Sequence, residues 1–180
     1  MSTPAITPEF ALAFREMMLD GVGREIETTK KVLAAIPDAK SDYRPDPHAR
    51  SAWELAWHLA NTDIQFLDGI AAMNFSMDTP EEADKPKNVT ALITWYDTNF
   101  KRAAERIRAL SGEQLATPVD FMGAFNMPAV LYLTFLNNHH IHHRGALATY
   151  LRPMGSHVPS IYGGSHDDPW QGAGAEANAA

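Results

Sequence analysis

Along four stretches of this chain, apolar side chains return every three or four residues, and prolines stand at or near the ends of those stretches. That spacing is the repeat of an α-helix with one buried face, not the alternation of a strand. The first stretch runs from Pro8 to about Ile36, with Phe10, Phe14, Met17, Met18, Gly21, Val22, Ile26, Val32, Leu33 and Ile36 on its apolar side. Thr7 is its N-cap, Pro8 fits the first helical position, and Pro37 ends it. The second runs from Ser51 to about Ala72 and opens with Ser51 and Glu54 in capping-box spacing. The third runs from Val89 to Leu110, its buried stripe marked by Leu92, Trp95, Tyr96, Phe100, Ala103, Ile107 and Leu110. The fourth starts at Asn126 as cap, with Pro128 near N1, and stops at about Leu151, before Pro153.

Helices of this length span about 30 to 40 Å at about 1.5 Å per residue. Four such rods, each with one apolar face, bury those faces most economically as an all-α four-helix bundle. The segment "MNFSMDTPEEADKPKN" is a long crossover between helices 2 and 3, and it allows two neighbouring helices to run parallel. "SGEQLATPVDFMGAFN", between helices 3 and 4, leaves room for a short hairpin. We read residues 1–170 as a single domain and the small, polar residues 171–180 as a flexible tail.

Composition narrows the chemistry. The chain has 180 residues and no cysteine, so disulfides, thiolate metal ligands and a protein-borne thiol nucleophile are excluded. A formal charge of -7 argues against nucleic acid as a partner. No window offers the roughly 20 apolar residues of a membrane helix. The N-terminus lacks the basic and apolar regions of a secretory signal. The expectation is a cytoplasmic protein that binds neither nucleic acid nor membrane.

Four of the eight histidines fall within "HHIHH", His139 to His143, on the fourth helix. On a helical wheel His143 lies about 40° from His139, so the two share a face one turn apart. Tyr132, Leu136, Leu147 and Tyr150 follow the same stripe. Two inward-facing neutral imidazoles need partners, and a metal ion would supply one. An i, i+4 histidine pair also arises by chance. His140 and His142 flank the pair and are expected to face solvent or a subunit interface. His48, His157 and His166 sit in loops and read as surface. In the second helix, His58 lies on a polar seam with Ser51, Glu54, Asn61, Thr62 and Gln65. Taken without the fourth helix, His58 reads as a helix histidine bonded to Glu54 or to a backbone carbonyl rather than as a ligand.

Taken together, "YRPDPHARSAWELAWHLANTD" and "HHIHHRGALATYLRPMGSHVPSIYGGSHDD" resemble the DinB family, named after a damage-inducible bacterial protein and grouped with YfiT-type metal-dependent hydrolases. The likeness covers the whole chain in order. It implies a four-helix bundle with the long crossover, a divalent metal held by three histidines, and a homodimer. Matched by position, the implied ligands are His58, His139 and His143. The chain departs at Ala146, where the family commonly carries glutamine; that residue is not a ligand.

Three neutral imidazoles would leave an ion's charge uncompensated and make it a strong Lewis acid. Imidazole donors favour zinc, nickel or copper over magnesium and calcium. Zinc is the first expectation and nickel the second, with iron and manganese as alternatives. The resemblance extends to thiol-dependent transferases and maleylpyruvate isomerases, so a low-molecular-weight thiol is a candidate cofactor. Two functions compete. One is a metal-dependent hydrolase or thiol transferase acting on a small-molecule substrate. The other is a non-catalytic metal-binding stress-response protein or dimeric scaffold. No catalytic residue stands out; Glu54, one turn before His58, is a candidate base or ring-orienting acceptor, and equally a helix cap. Asn61 and Gln65 could line a pocket, and Tyr132 and Tyr150 could donate to a substrate or pack in the core. Trp53 and Trp57 are read as core or interface residues. Arg144 is expected to face outward or to anchor a carbonyl at the helix end.

Overall fold

The computed structural model describes residues 6–76 and 85–170. The expected tail, 171–180, and the middle of the crossover, 77–84, lie outside the described residues. Four long helices form the bundle: α1 (Pro8–Ala34), α2 (Ala52–Ala72), α3 (Val89–Arg108) and α5 (Tyr132–Leu151). A short helix α4 (Gly112–Ala116) and a hairpin of β1 (Pro118–Phe121) and β2 (Phe125–Pro128) join α3 to α5. α2 packs on α3 and α5, and α1 packs on the same two helices. No described helix is long and apolar enough to cross a membrane.

Local chemistry explains the helix starts. The Thr7 side chain accepts from the Phe10 amide ahead of α1. Ser51 and Glu54 complete a capping box at α2: the Ser51 hydroxyl accepts from the Glu54 amide at 3.1 Å, and Glu54 accepts from the Ser51 amide at 2.8 Å. Asn88 caps α3 through the Ala91 amide. Each cap satisfies an amide that has no partner within the first turn.

Two expectations about the elements are corrected. The fourth helix does not start at Asn126. Residues 125–128 instead pair antiparallel with β1, Pro118 opposite Pro128 and Phe121 opposite Phe125. Met122 and Gly123 take positive φ values of 51° and 76° in the turn, and the Asp120 carboxylate accepts from the Gly123 amide. A 3₁₀ turn at Ala129–Leu131 then feeds α5, and the Tyr132 hydroxyl donates to the Val119 carbonyl, tying hairpin to helix.

The start of α1 is also rotated from the expected face, while Val22, Ile26, Val32, Leu33 and Ile36 are buried as expected. Ala11, Arg15, Leu19, Val22, Ile26 and Thr29 are buried, whereas Phe10 is 50% and Met17 60% exposed. The physical reason is Arg15. Its guanidinium donates to the Arg108 and Leu110 carbonyls at the C-terminal end of α3. Those carbonyls lack helical partners, and a cation there also complements the helix dipole. Satisfying them turns Arg15 inward and carries Phe10 and Met17 outward.

Candidate metal centre

α2 and α5 lie against each other, and their contact brings His58 to His139 and His143. The three half-buried imidazoles face one another through Nε2. His58 Nε2 lies 3.3 Å from His143 Nε2 and 3.4 Å from His139 Nε2. Two donors at about 2.0–2.1 Å from a tetrahedral ion stand about 3.4 Å apart, so this spacing fits a shared divalent cation. The donor set fits as well. Burial, aided by the charges of Arg50 and His139, holds the His58 imidazole below its usual range. Burial and the neighbouring His139 and His58 push His143 down to about 4. Both rings are therefore neutral near pH 7, the form that ligates a metal.

Behind the cluster lies a carboxylate that the pattern reading missed. Asp63 on α2 is fully buried. One oxygen accepts from His139 Nδ1 at 3.1 Å. The other accepts from His140 Nδ1 at 2.5 Å and from the Tyr96 hydroxyl. Burial would raise Asp63, but the hydrogen bonds from His139 and His140 outweigh it and keep the carboxyl below its ordinary value. The bond to His139 places that ring's proton on Nδ1 and leaves the Nε2 lone pair facing His58. Thr62 Oγ1 lies 3.3 Å from His58 Nδ1.

Two further placements correct the sequence reading. His140 faces neither solvent nor an interface: it is fully buried, with Nε2 2.6 Å from the Thr29 hydroxyl of α1 and Nδ1 on Asp63. Arg144 is 1% exposed rather than outward. It pairs with Glu25 on α1 and donates to the Tyr162 hydroxyl, which in turn donates to Glu25 at 2.7 Å. Tyr162 is thus hydrogen-bonded to both partners of the Arg144–Glu25 ion pair, which fastens the C-terminal segment to the bundle. Glu54 stands apart from the histidines. It is exposed, bound to Arg44 and the α2 cap, and the Arg44 and Ser51 hydrogen bonds hold its carboxyl at about 2. His142 is exposed, as are His48, His157 and His166. Tyr132 is buried in the core, and the Tyr150 hydroxyl donates to the Arg50 carbonyl.

The sequence profile of the DinB family matches residues 14–173. The chain belongs to the DinB family. The relatives of this DinB chain include two Bacillus subtilis proteins, both described as uncharacterized. YrdA is 27% identical over 165 residues, covering 85% of this chain and 90% of its own length. YjoA is 28% identical over 131 residues, covering 71% and 82%. Among solved structures, a DinB-like protein from Bacillus cereus ATCC 10987 is similar with a TM-score of 0.69 and 26% identity, over 82% of this chain and 97% of that one. The crystal structure of YjoA gives 0.67 at 23% identity, over 81% and 97%, a likeness of fold. The DinB bundle therefore carries three histidines whose geometry is compatible with a metal site.

His58 and His139 also form one wall of a cavity of about 220 Å³, completed by Thr62, Gln65, Phe66, Phe75 and Phe121 among others. Of the residues expected to line a pocket, Gln65 does so, while Asn61 is buried outside it.

Proposed function

We propose that this DinB chain is a divalent-metal-dependent enzyme acting on a small molecule, as a hydrolase or a low-molecular-weight-thiol-dependent transferase. The observation that carries the proposal is the convergence of three imidazoles from two helices beside a cavity, with ligand nitrogens within 4.8 Å of one another and His58 Nε2 3.3 and 3.4 Å from the other two. His58, His139 and His143 would hold the ion, zinc first and nickel second, with iron or manganese as alternatives. When bound, the cation supplies Lewis acidity towards a substrate oxygen or an incoming thiol. The chain's own residues supply the rest. Asp63 keeps the His139 proton on Nδ1, burial keeps His58 and His143 unprotonated, and the cavity beside His58 and His139 gives a substrate room to approach. A purely structural metal calls for a fourth protein ligand and needs no such room. Among the described residues, the group that the structure offers has three members. The acidic charge supports a reading without nucleic acid, and the same reading places a homodimer in the cytoplasm.

The test is elemental analysis of untagged wild-type protein and of His143→Ala. Wild type should hold about one transition-metal ion per chain, and the variant should lose it while keeping its helical circular dichroism. Unchanged metal content in the variant would refute the assignment.

A further inference from the structure

The cavity next to the histidines is walled by three phenylalanines from three different parts of the fold. Phe66 comes from α2, Phe75 from just after it, and Phe121 from β1 of the hairpin. The rings of Phe66 and Phe121 are stacked, with centroids 5.4 Å apart and planes 7° from parallel. Phe75 meets Phe121 nearly edge-on, at 5.0 Å and 64°. Gly69 makes this possible: a β-carbon there would lie 2.3 Å from the Phe75 ring, so the missing side chain lets that ring rest directly on α2. Among the described residues, no lysine, arginine, aspartate or glutamate lines the cavity.

These features select a ligand. Placing a charged group among three aromatic faces would strip its hydration without offering a partner. Aromatic rings packed at stacked and edge-on angles favour another aromatic ring over an aliphatic one of equal size. The volume agrees: an apolar cavity of about 150 Å³ admits benzene. A cavity of about 220 Å³ admits a phenyl ring and a short link reaching the imidazoles. We propose that the site takes small molecules bearing an uncharged aryl group, which lies in the cavity against Phe66, Phe75 and Phe121 with the reacting end turned to His58 and His139. The choice of reacting end rests on the metal-dependent reading above; the aryl preference does not.

Calorimetric titration of the full chain with phenylmethanethiol, cyclohexylmethanethiol and ethanethiol tests this, in metal-free and cobalt-loaded protein. Phenylmethanethiol should bind at least about tenfold more tightly than ethanethiol, because it buries a ring. It should also bind about threefold more tightly than the cyclohexyl compound, because of the ring geometry. In Phe121→Leu, and independently in Phe66→Leu should the hairpin variant misfold, the phenyl-over-cyclohexyl preference should vanish while ethanethiol affinity holds. Equal binding of the phenyl and cyclohexyl compounds to wild type, or an undiminished preference in a folded leucine variant, would overturn the proposal. In the cobalt-loaded protein, a sulfur-to-cobalt charge-transfer band reports the reacting end separately. Failure to load cobalt would sink the metal reading, while the metal-free titration would still decide the aryl preference.

Discussion

His139 and His140 are adjacent in sequence and bonded to the same carboxylate, yet they belong to two different regions. His139 is half-buried and turns its Nε2 towards His58 and His143. His140 is fully buried and spends both ring nitrogens on Asp63 and Thr29. In the first region three ring nitrogens converge on one another; the second is a closed network of Asp63, His140, Tyr96 and Thr29. Convergent lone pairs cost free energy unless a cation or a proton joins them, whereas a satisfied network specifies one core arrangement. One side of α5 thus carries the candidate metal ligands and the other holds the bundle, with Asp63 common to both.

The severest way to break this comparison is Asp63→Ala. It leaves the His139, His140 and Tyr96 donors without their acceptor in the interior and should cost about 3–5 kcal/mol in urea unfolding. Asp63→Asn keeps the shape, and in a folded sample should weaken cobalt or zinc affinity about 10- to 100-fold, because the ring-orienting carboxylate is gone. Retained affinity in Asp63→Asn would sever the link between the two regions.

A paired substitution sharpens the contrast. His140→Leu removes a hydrogen bond to a buried carboxylate and should cost about 2–3 kcal/mol, yet leave one metal ion per chain. His143→Ala should do the reverse, losing the metal with under about 1 kcal/mol of change in the metal-free protein, since the ring is only half-buried. If His140→Leu lost metal stoichiometry while staying folded, the division between binding and holding sides would fail.

The bundle was legible in the sequence because each helix announces itself by apolar period, cap and proline, and these are local signals. The Ser51–Glu54 box and the third helix, read as Val89 to Leu110 and found at Val89–Arg108, needed nothing from the rest of the chain. The rotation at the start of α1 was not legible, because it depends on Arg15 meeting carbonyls about 95 residues away in sequence. The pairing of His58 with His139 and His143 came from the family resemblance; neither helix alone implies that the two faces meet. Asp63 and His140 escaped for one reason: each is a polar residue on an apolar stripe. Asp63 lies four residues from both Leu59 and Leu67, and His140 four from Leu136, with Arg144 four further on. That is the signal that could have found them, since a charge or imidazole inside such a stripe must be satisfied by a partner when buried. The hairpin was hidden because Asn126 and Pro128 also make an acceptable helix start.

A gentler probe is pH. His58 and His143 have folded-state values below the ordinary histidine range, His143 about 4 against 6.5. The unfolded chain therefore binds these protons more readily. Their contribution to the stability of metal-free protein is complete above about pH 6.5 and is lost as pH falls towards 4. Metal loading should weaken over the same interval, because protons compete for the same nitrogens. Thermal midpoints of metal-free wild type and His143→Ala, followed from pH 7.5 to 4.5, should lie close together at neutral pH and separate on acidification, wild type falling further. Parallel curves would mean that His143 is not held neutral by its surroundings.

The smallest effect belongs to Glu54, and its size discriminates between roles. As a cap, its carboxylate accepts from the Ser51 amide and from Arg44 at the exposed start of α2. Glu54→Gln can keep the cap bond but loses the charge that complements both Arg44 and the helix N-terminus. A slight fall in thermal midpoint is expected, smaller at high salt, with metal affinity unchanged. A base or a ring-orienting acceptor would behave differently, because the same isosteric change would then alter metal affinity or the pH dependence of turnover and leave the salt response flat. The geometry favours the first outcome: Glu54 reaches towards the loop before α2, while the acceptor that orients a histidine of the cluster is Asp63.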